Sequence, residues 1–487
     1  MIEIVQYKNI ISRSYRSILC ILGFIITIYC FYRAVRVDTI SCPLYLLPYF
    51  YTMFMLFTTN NIKNVYDEPG IVTLNIVLFA RYLLTPFVIY SFDRYSIFAR
   101  NYDFINESVA LMIYEQWACF ITIQITGMKF KKKVVGYEYK NKFKYLHLKN
   151  GILVSFLVIF ILGLIITLYP SLVSNTFITY KKANSGEIED ISGAITILWS
   201  MLYIWLYVYG ITKVHELYVK KNLKRRYVFF AIAFTILLIL ITFLGNKYIT
   251  RWYTVVTTIA SVVFLLKFFN KERKLIIVSI VVPAFIFITL LSIYKNSTYL
   301  VGNSNLLKGF FDIFSATTVD SYFAGPVSVN NAIGTKTEYS YLGLHSIIYD
   351  LLKSFPVLNH YIDTSGSTVD AYSLYIQRSD QILPLIGQSA IYFGYLLSPI
   401  LSIFSVIIVR YADYKFKISY SFRSYIYAFI AVWYALIMIL NLKINVAWVY
   451  ARIIPFAFIL WVSDRYTNQK IESENNKKVT GYDNKVL

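Results

Sequence analysis

Long uninterrupted apolar runs, separated by short polar and basic breaks, set the pattern of this chain of 487 residues. A helix crosses a hydrocarbon core of roughly 30 Å with about 17–25 such residues. Twelve stretches fit: 17–32, 43–59, 71–90, 108–127, 150–169, 193–211, 227–244, 249–267, 275–294, 383–409, 424–440 and 446–462. The last two are divided at Asn441-Leu442-Lys443-Ile444-Asn445, the one polar break in a run too long for a single helix. No small-residue cleavage site follows the first stretch, so it reads as a retained helix. The pattern predicts an all-α polytopic membrane protein: helices one to nine over 1–294, a large loop over 295–380, helices ten to twelve over 381–463, and a disordered tail over 464–487.

Composition agrees, with 57% hydrophobic and only 15% charged residues where a soluble domain carries about a quarter charged. The net charge of +21 would point to nucleic acid in a soluble protein. Here its placement says otherwise. Of the 47 Lys and Arg, 31 fall at the N-terminus, in the even-numbered loops and in the tail, and 14 in the odd-numbered loops. The positive-inside rule therefore puts both termini in the cytoplasm, and blocks such as Lys129–Lys133 and Lys220–Arg226 become topology signals. Four cysteines without CxxC or metal-ligand spacing exclude a disulfide scaffold and a zinc site.

The segment from Lys295 to Asp380, on the non-cytoplasmic side, is long for a chain of short loops, and such loops usually carry function. It is slightly acidic and holds His345 and His360. Leu344–Phe355 and Val369–Ile376 read as short amphipathic helices lying along the membrane. The tyrosines around them, Tyr322 and Tyr341 included, serve as interface anchors or as the aromatic faces of a carbohydrate groove.

Charges inside the apolar runs are costly, about 2.5–3.5 kcal/mol each or more at mid-membrane, so they face a partner or a cavity. Arg81 lies at the middle of the third span and Glu115-Gln116 at similar depth in the fourth, which runs the other way. The two form a structural ion pair, or Arg81 serves a ligand. Arg452 sits seven residues inside the last span, and no acidic residue shares its helix. It snorkels to the surface or faces a cavity. Arg251, Arg378 and Lys443 fall at the outer rim. Arginine's planar fork suits phosphate, so Arg81, Arg251, Arg378, Arg452 and Lys443 are the candidate ligands for a lipid-linked pyrophosphate. No GxxxxGK[ST], HExxH or GxSxG motif occurs, and the first outer loop has no acidic pair; no metal or cofactor is expected.

The layout of about twelve spans, with both ends cytoplasmic and one large outer loop before the last three helices, resembles the Wzy-type polymerases of O-antigen and capsule repeat units. So does Tyr322-Phe-Ala-Gly-Pro-Val-Ser-Val-Asn-Asn331 in the loop. Leu383-Pro-Leu-Ile-Gly-Gln-Ser-Ala-Ile-Tyr-Phe-Gly394, with Gln388 at its centre and Pro399 soon after, is similar to the family's segment leading into the next helix. Gly245 followed by Arg251 departs from the family's Gly-x-Arg in having the longer spacing.

The resemblance implies a glycosyltransferase of the bacterial cytoplasmic membrane. It would join oligosaccharide units on polyprenyl pyrophosphate at the outer leaflet, alongside a flippase and a chain-length regulator as partners. A sugar hydroxyl would attack the anomeric carbon, with a general base drawn from His345, Asp380, His360 and Asp350. His345 could instead cap the helix it opens. Tyr322, Tyr341 and Gln388 are the candidate sugar contacts. A lipid-linked glycan flippase and a ligase transferring finished glycan are the alternatives; a membrane acyltransferase is disfavoured because no histidine lies within a clear span.

Overall fold

The computed structural model describes residues 2–36, 43–57, 67–134, 151–170, 193–221, 223–244, 251–286, 289, 314–355, 365–378, 381–419, 423–455 and 457–458. The tail from 464, His360 and Asp380 lie outside the described residues. Among the described residues all regular structure is helical. In chain order the helices are α1 (Ile2–Arg36), α2 (Leu46–Phe57), α3 (Pro69–Phe79), α4 (Thr85–Phe92), α5 (Ile105–Val134), α6 (Gly151–Leu168), α7 (Gly193–Lys220), α8 (Arg225–Leu244) and α9 (Arg251–Phe268). They continue as α10 (Arg273–Ile276), α11 (Ala316–Phe323), α12 (Pro326–Glu338), α13 (Ser346–Leu352), α14 (Thr368–Ile376), α15 (Leu385–Leu397), α16 (Ile400–Ile418), α17 (Arg423–Leu436) and α18 (Leu442–Trp448).

Four helical stretches are long and apolar enough to cross a membrane: Arg16–Arg36, Pro69–Phe92, Ile105–Phe130 and Arg225–Thr242. Two bent pairs, Tyr253–Phe268 with Asn270–Ile286 and Leu385–Leu397 with Ile400–Ile418, raise the number to six. Among the described residues the protein is thus all-helical with four to six apolar spans, the build of a membrane protein.

Among the described residues three π-helical turns interrupt these helices, at Ala80–Leu84, Ile277–Val281 and Val449–Ile453. Each ends two residues before a proline, Pro86, Pro283 and Pro455. A proline inside a helix lacks the N–H and its ring presses on the carbonyl four residues back. Widening the preceding turn to i→i−5 bonding relieves that contact, as in the bond from the Thr85 amide to the Ala80 carbonyl. Both arginines inside apolar runs, Arg81 and Arg452, sit in such turns.

The stretch 383–409, expected as one span, is two helices bent by 108°. Gly394 has φ 79° and ψ 175°, a backbone state that side chains oppose, and Pro399 follows at the restart. Gly394→Ala should therefore cost about 1–3 kcal/mol. A lowered thermal midpoint in detergent reads it; an unchanged midpoint would mean that the bend does not depend on the glycine.

Contacts group the chain into two compact units. The first comprises Met1–Glu138, Phe285–Lys417 and Ile430–Trp448; the second comprises Tyr139–Ala284, Ile418–Phe429 and Val449–Leu487. The described helices between 314 and 378 therefore belong to the same unit as α1–α5. In that unit α3, its π turn and α4 form the centre, 72% buried over the apolar window, while α1 is peripheral at 22%. The two expected loop helices appear as α13 and α14, and two more, α11 and α12, precede them. α12 is buried from Pro326 to Thr335 and packs on α5, α14 and α15. Its N-terminus is capped by Asp320, which accepts from the Val327 and Ser328 amides at 3.1 and 3.0 Å and from Ser328 Oγ at 2.9 Å. Burial pushes the Asp320 carboxyl up to about 6 against the pull of those bonds. Asn330 and Asn331 then clamp the segment before α5: Asn330 Nδ2 donates to the Asn101 carbonyl at 2.7 Å, and Asn331 Nδ2 to the Phe98 carbonyl at 2.9 Å.

In the second unit α7 packs against α8, α6 and the Val449–Ile453 turn, and α8 packs against α9. Its interior is aromatic and hydroxyl-rich. Tyr203 and Tyr253 share a hydrogen bond of 2.9 Å between their OH groups, and Tyr207 meets Thr235 Oγ1 at 3.1 Å.

Candidate functional site

Two buried polar centres in the first unit contain candidate residues. At the π turn, Arg81 Nη2 stands 3.0 Å from Glu115 Oε2, both side chains fully buried, so the ion pair inferred from their depths is present. Arg81 Nη1 donates to the Met438 carbonyl at 3.0 Å. Glu115 also accepts from Tyr82 OH at 2.9 Å and from Ser402 Oγ at 2.6 Å. The arginine is compensated by a carboxylate and sealed from solvent, so it is placed to tie helices together rather than to receive a ligand.

The second centre is Asp350, fully buried on α13. Its Oδ1 accepts from Ser367 Oγ at 2.7 Å. Its Oδ2 accepts from Thr368 Oγ1 at 2.5 Å, the Thr368 amide at 3.3 Å, Gln388 Nε2 at 3.3 Å and Tyr392 OH at 2.5 Å. Gln388 extends the network: its Oε1 accepts from the Leu442 amide at 2.7 Å, at the polar break that opens α18. Asp350 and Gln388, two of the candidate site residues, are thus brought together with α14, α15 and α18. Four of these five donors crowd Oδ2, whereas Oδ1 accepts from Ser367 Oγ alone among the described residues. Fully buried and bonded to Ser367, Thr368, Gln388 and Tyr392, the carboxylate positions the helix that carries it. Lys353, at the end of the same helix and almost wholly buried, pairs with Asp370 on α14.

The remaining loop candidates are nearer the surface. His345 is exposed at the N-cap position of α13, where its side chain makes no capping bond; its ring meets Tyr349 edge-on at 6.3 Å. Tyr341 is exposed, and its OH donates to the Ser365 carbonyl at 3.1 Å. Tyr322 is half-buried on α11, and Lys443 is half-buried in α18. Arg378 is exposed, with its guanidinium 4.0 Å from the centre of the Phe98 ring. Arg81 is sealed in the interior and Arg378 lies at the surface, so a single phosphate group does not meet both guanidinium groups.

The second unit holds the other two arginines. Arg251 takes the first position of α9, and its side chain lies outside the described residues. Two residues on, Tyr253 presents its ring to Arg452 with 4.6 Å between guanidinium carbon and ring centre. Arg452 lines a small cavity with Ser200, Met201 and Ile204 of α7 and Tyr425 and Phe429 of α17. Its Nη1 is buried and has no hydrogen-bond acceptor among the described residues. No carboxylate pairs with it among the described residues. The cavity has room for at most about one water-sized atom, the size of a single phosphoryl oxygen.

Among the described residues no cluster of His, Cys, Asp and Glu could hold a metal ion. Sequence reasoning did not find Tyr392, Ser367 or Thr368, which carry no signal of their own on the chain. No family model matches this protein, and neither a curated protein nor a solved structure is significantly similar to it.

Proposed function

We propose that this protein is a membrane glycosyltransferase that polymerises oligosaccharide repeat units carried on polyprenyl pyrophosphate at the outer leaflet of the bacterial cytoplasmic membrane. In this reading the chain crosses the membrane twelve times, both termini are cytoplasmic, and a flippase and a chain-length regulator work beside it. The Wzy-type resemblance supplies the reaction class.

The observation that carries the proposal is Arg452. A guanidinium in an apolar run, stacked on an aromatic ring and with a buried N–H that has no acceptor among the described residues, is expensive unless an anion arrives to use it. A pyrophosphate oxygen is such an anion, and a fixed cation stabilises it as a leaving group. In the reaction a sugar hydroxyl oxygen forms a bond to the anomeric carbon of the growing chain while the bond from that carbon to pyrophosphate breaks. The electron pair leaves with the pyrophosphate, and the hydroxyl proton passes to a general base. Of the loop candidates for that base, Asp350 is fully buried and His345 is exposed on the helix that Asp350 anchors. The phosphate ligand is Arg452 rather than Arg81, whose charge Glu115 already meets.

Arg452→Ala should leave the protein in the membrane and lower chain extension by about 10²-fold or more, with Arg452→Lys recovering only part, because an ammonium lacks the planar fork. Length profiles of lipid-linked glycan from cells carrying each variant test this. Normal long chains in Arg452→Ala would remove the residue from the reaction.

A further inference from the structure

The α1–α2 pair carries a feature that the polymerase reading does not use. The two helices touch at Gly23, where a Cβ would fall 2.2 Å from Thr52 Oγ1. Only a residue without a side chain allows this approach. Beyond that crossing, toward the end of α1 that bears Arg33 and Arg36, Thr27, Ile28 and Phe31 face Tyr45, Leu46 and Tyr49 across a groove of about 360 Å³. Thr27 Oγ1 donates to the Gly23 carbonyl at 2.7 Å, so its hydroxyl is turned away and the wall is apolar. Phe31 and Tyr45 meet edge-on at 5.2 Å and form one side. Ile28, Phe31 and Tyr49 are 67%, 53% and 41% exposed, so the groove opens to whatever surrounds the helices.

The charges at its mouth are unequal. Arg33 is committed to Asp93. Arg36 is exposed, lies 4.3 Å from the centre of the Tyr32 ring, and faces no carboxylate among the described residues. From Ile28 to Arg36 the helix rises about 12 Å, so an exposed guanidinium stands one short hydrocarbon length above an apolar slot. A basic residue at the end of a membrane helix sits at headgroup level, and a guanidinium takes phosphate oxygens in pairs.

We propose that this groove is a binding site for an anionic phospholipid, with one acyl chain along Thr27, Ile28, Phe31 and Leu46 and the headgroup phosphate on Arg36. The proposal does not rest on the polymerase reading: it needs only the groove, the cation above it and a membrane. The guanidinium of Arg36 favours the anionic member of a lipid mixture, and the apolar slot demands a chain, which a soluble phosphate lacks.

The test uses the full-length protein purified in detergent and dioleoylphosphatidylglycerol and dioleoylphosphatidylcholine, which share their chains and differ in charge. Native mass spectrometry counts the lipid retained. The native protein should retain the glycerol lipid about fivefold better than the choline lipid, the preference one surface cation confers, and Arg36→Gln should erase the difference. Ile28→Trp, which fills the slot from a lipid-facing position, should lower retention of both lipids. Ile21→Trp, also exposed but away from the groove, should change neither and serves as the folding control. Equal retention of the two lipids by the native protein would overturn the proposal. So would native-like retention by both Arg36→Gln and Ile28→Trp, or displacement of the glycerol lipid by polyprenyl phosphate at equal concentration, which would make the groove a carrier site.

Discussion

Glu115→Leu should destabilise the first unit by about 3–5 kcal/mol, the cost of leaving a buried charge without its partner. Glu115 is the common acceptor for Arg81, Tyr82 and Ser402, and these come from the π turn and α16 while Glu115 itself sits on α5. Removing it orphans one guanidinium and two hydroxyls inside a region that water does not reach. Glu115→Gln keeps the shape and one acceptor oxygen but not the charge, and should fall between. The decisive comparison is the double variant Arg81→Leu with Glu115→Leu. Replacing both ions with apolar groups removes the unpaired charge, so the double should melt at a higher temperature than Glu115→Leu alone. Additive losses would show that the two side chains stabilise the fold independently, against the ion-pair account.

Asp350→Ala should release the α13–α14 part of the loop. Four side chains, Ser367, Thr368, Gln388 and Tyr392, lose their shared acceptor. Some re-pair, since Gln388 Nε2 also reaches Tyr392 OH at 2.8 Å and Thr368 Oγ1 at 3.0 Å. A buried donor left unmet costs about 1–3 kcal/mol, so the net loss should be about 3 kcal/mol or more. Limited proteolysis reads it as early cutting between Tyr339 and Arg378 while α1–α5 stay intact. Asp350→Asn is the informative control. Its amide puts N–H groups among donors, so it should open the loop nearly as much as alanine does. Native-like protease resistance in Asp350→Asn, with chain extension abolished, would make Asp350 a participant in the chemistry instead of the anchor described above.

The parts of this structure that can be read from the chain are those set by short-range rules. Depth along two antiparallel spans is enough to pair Arg81 with Glu115, because an apolar surrounding leaves a buried cation few choices. The apolar pattern of Val369–Ile376 is enough to predict a short helix, and α14 runs from Thr368 to Ile376. The π turns are also visible in retrospect, since each precedes a proline by two residues. The Asp350 network is not legible, because its donors lie 17 to 42 residues away along the chain and are ordinary Ser, Thr, Gln and Tyr. The buried α12 escapes for a similar reason: the run Val327-Ser-Val-Asn-Asn-Ala has no helical stripe, being covered by α5, α14 and α15. The bend at Gly394 is hidden inside an apolar run whose length alone suggests one span.

The most direct test of the polymerase reading is a gel of lipid-linked glycans from cells with and without this protein. The reading predicts that loss of the protein abolishes the ladder while a single repeat unit still accumulates on the outer leaflet. Long chains persisting on the carrier would contradict polymerisation and make the protein a ligase, and repeat units held on the cytoplasmic side would make it a flippase.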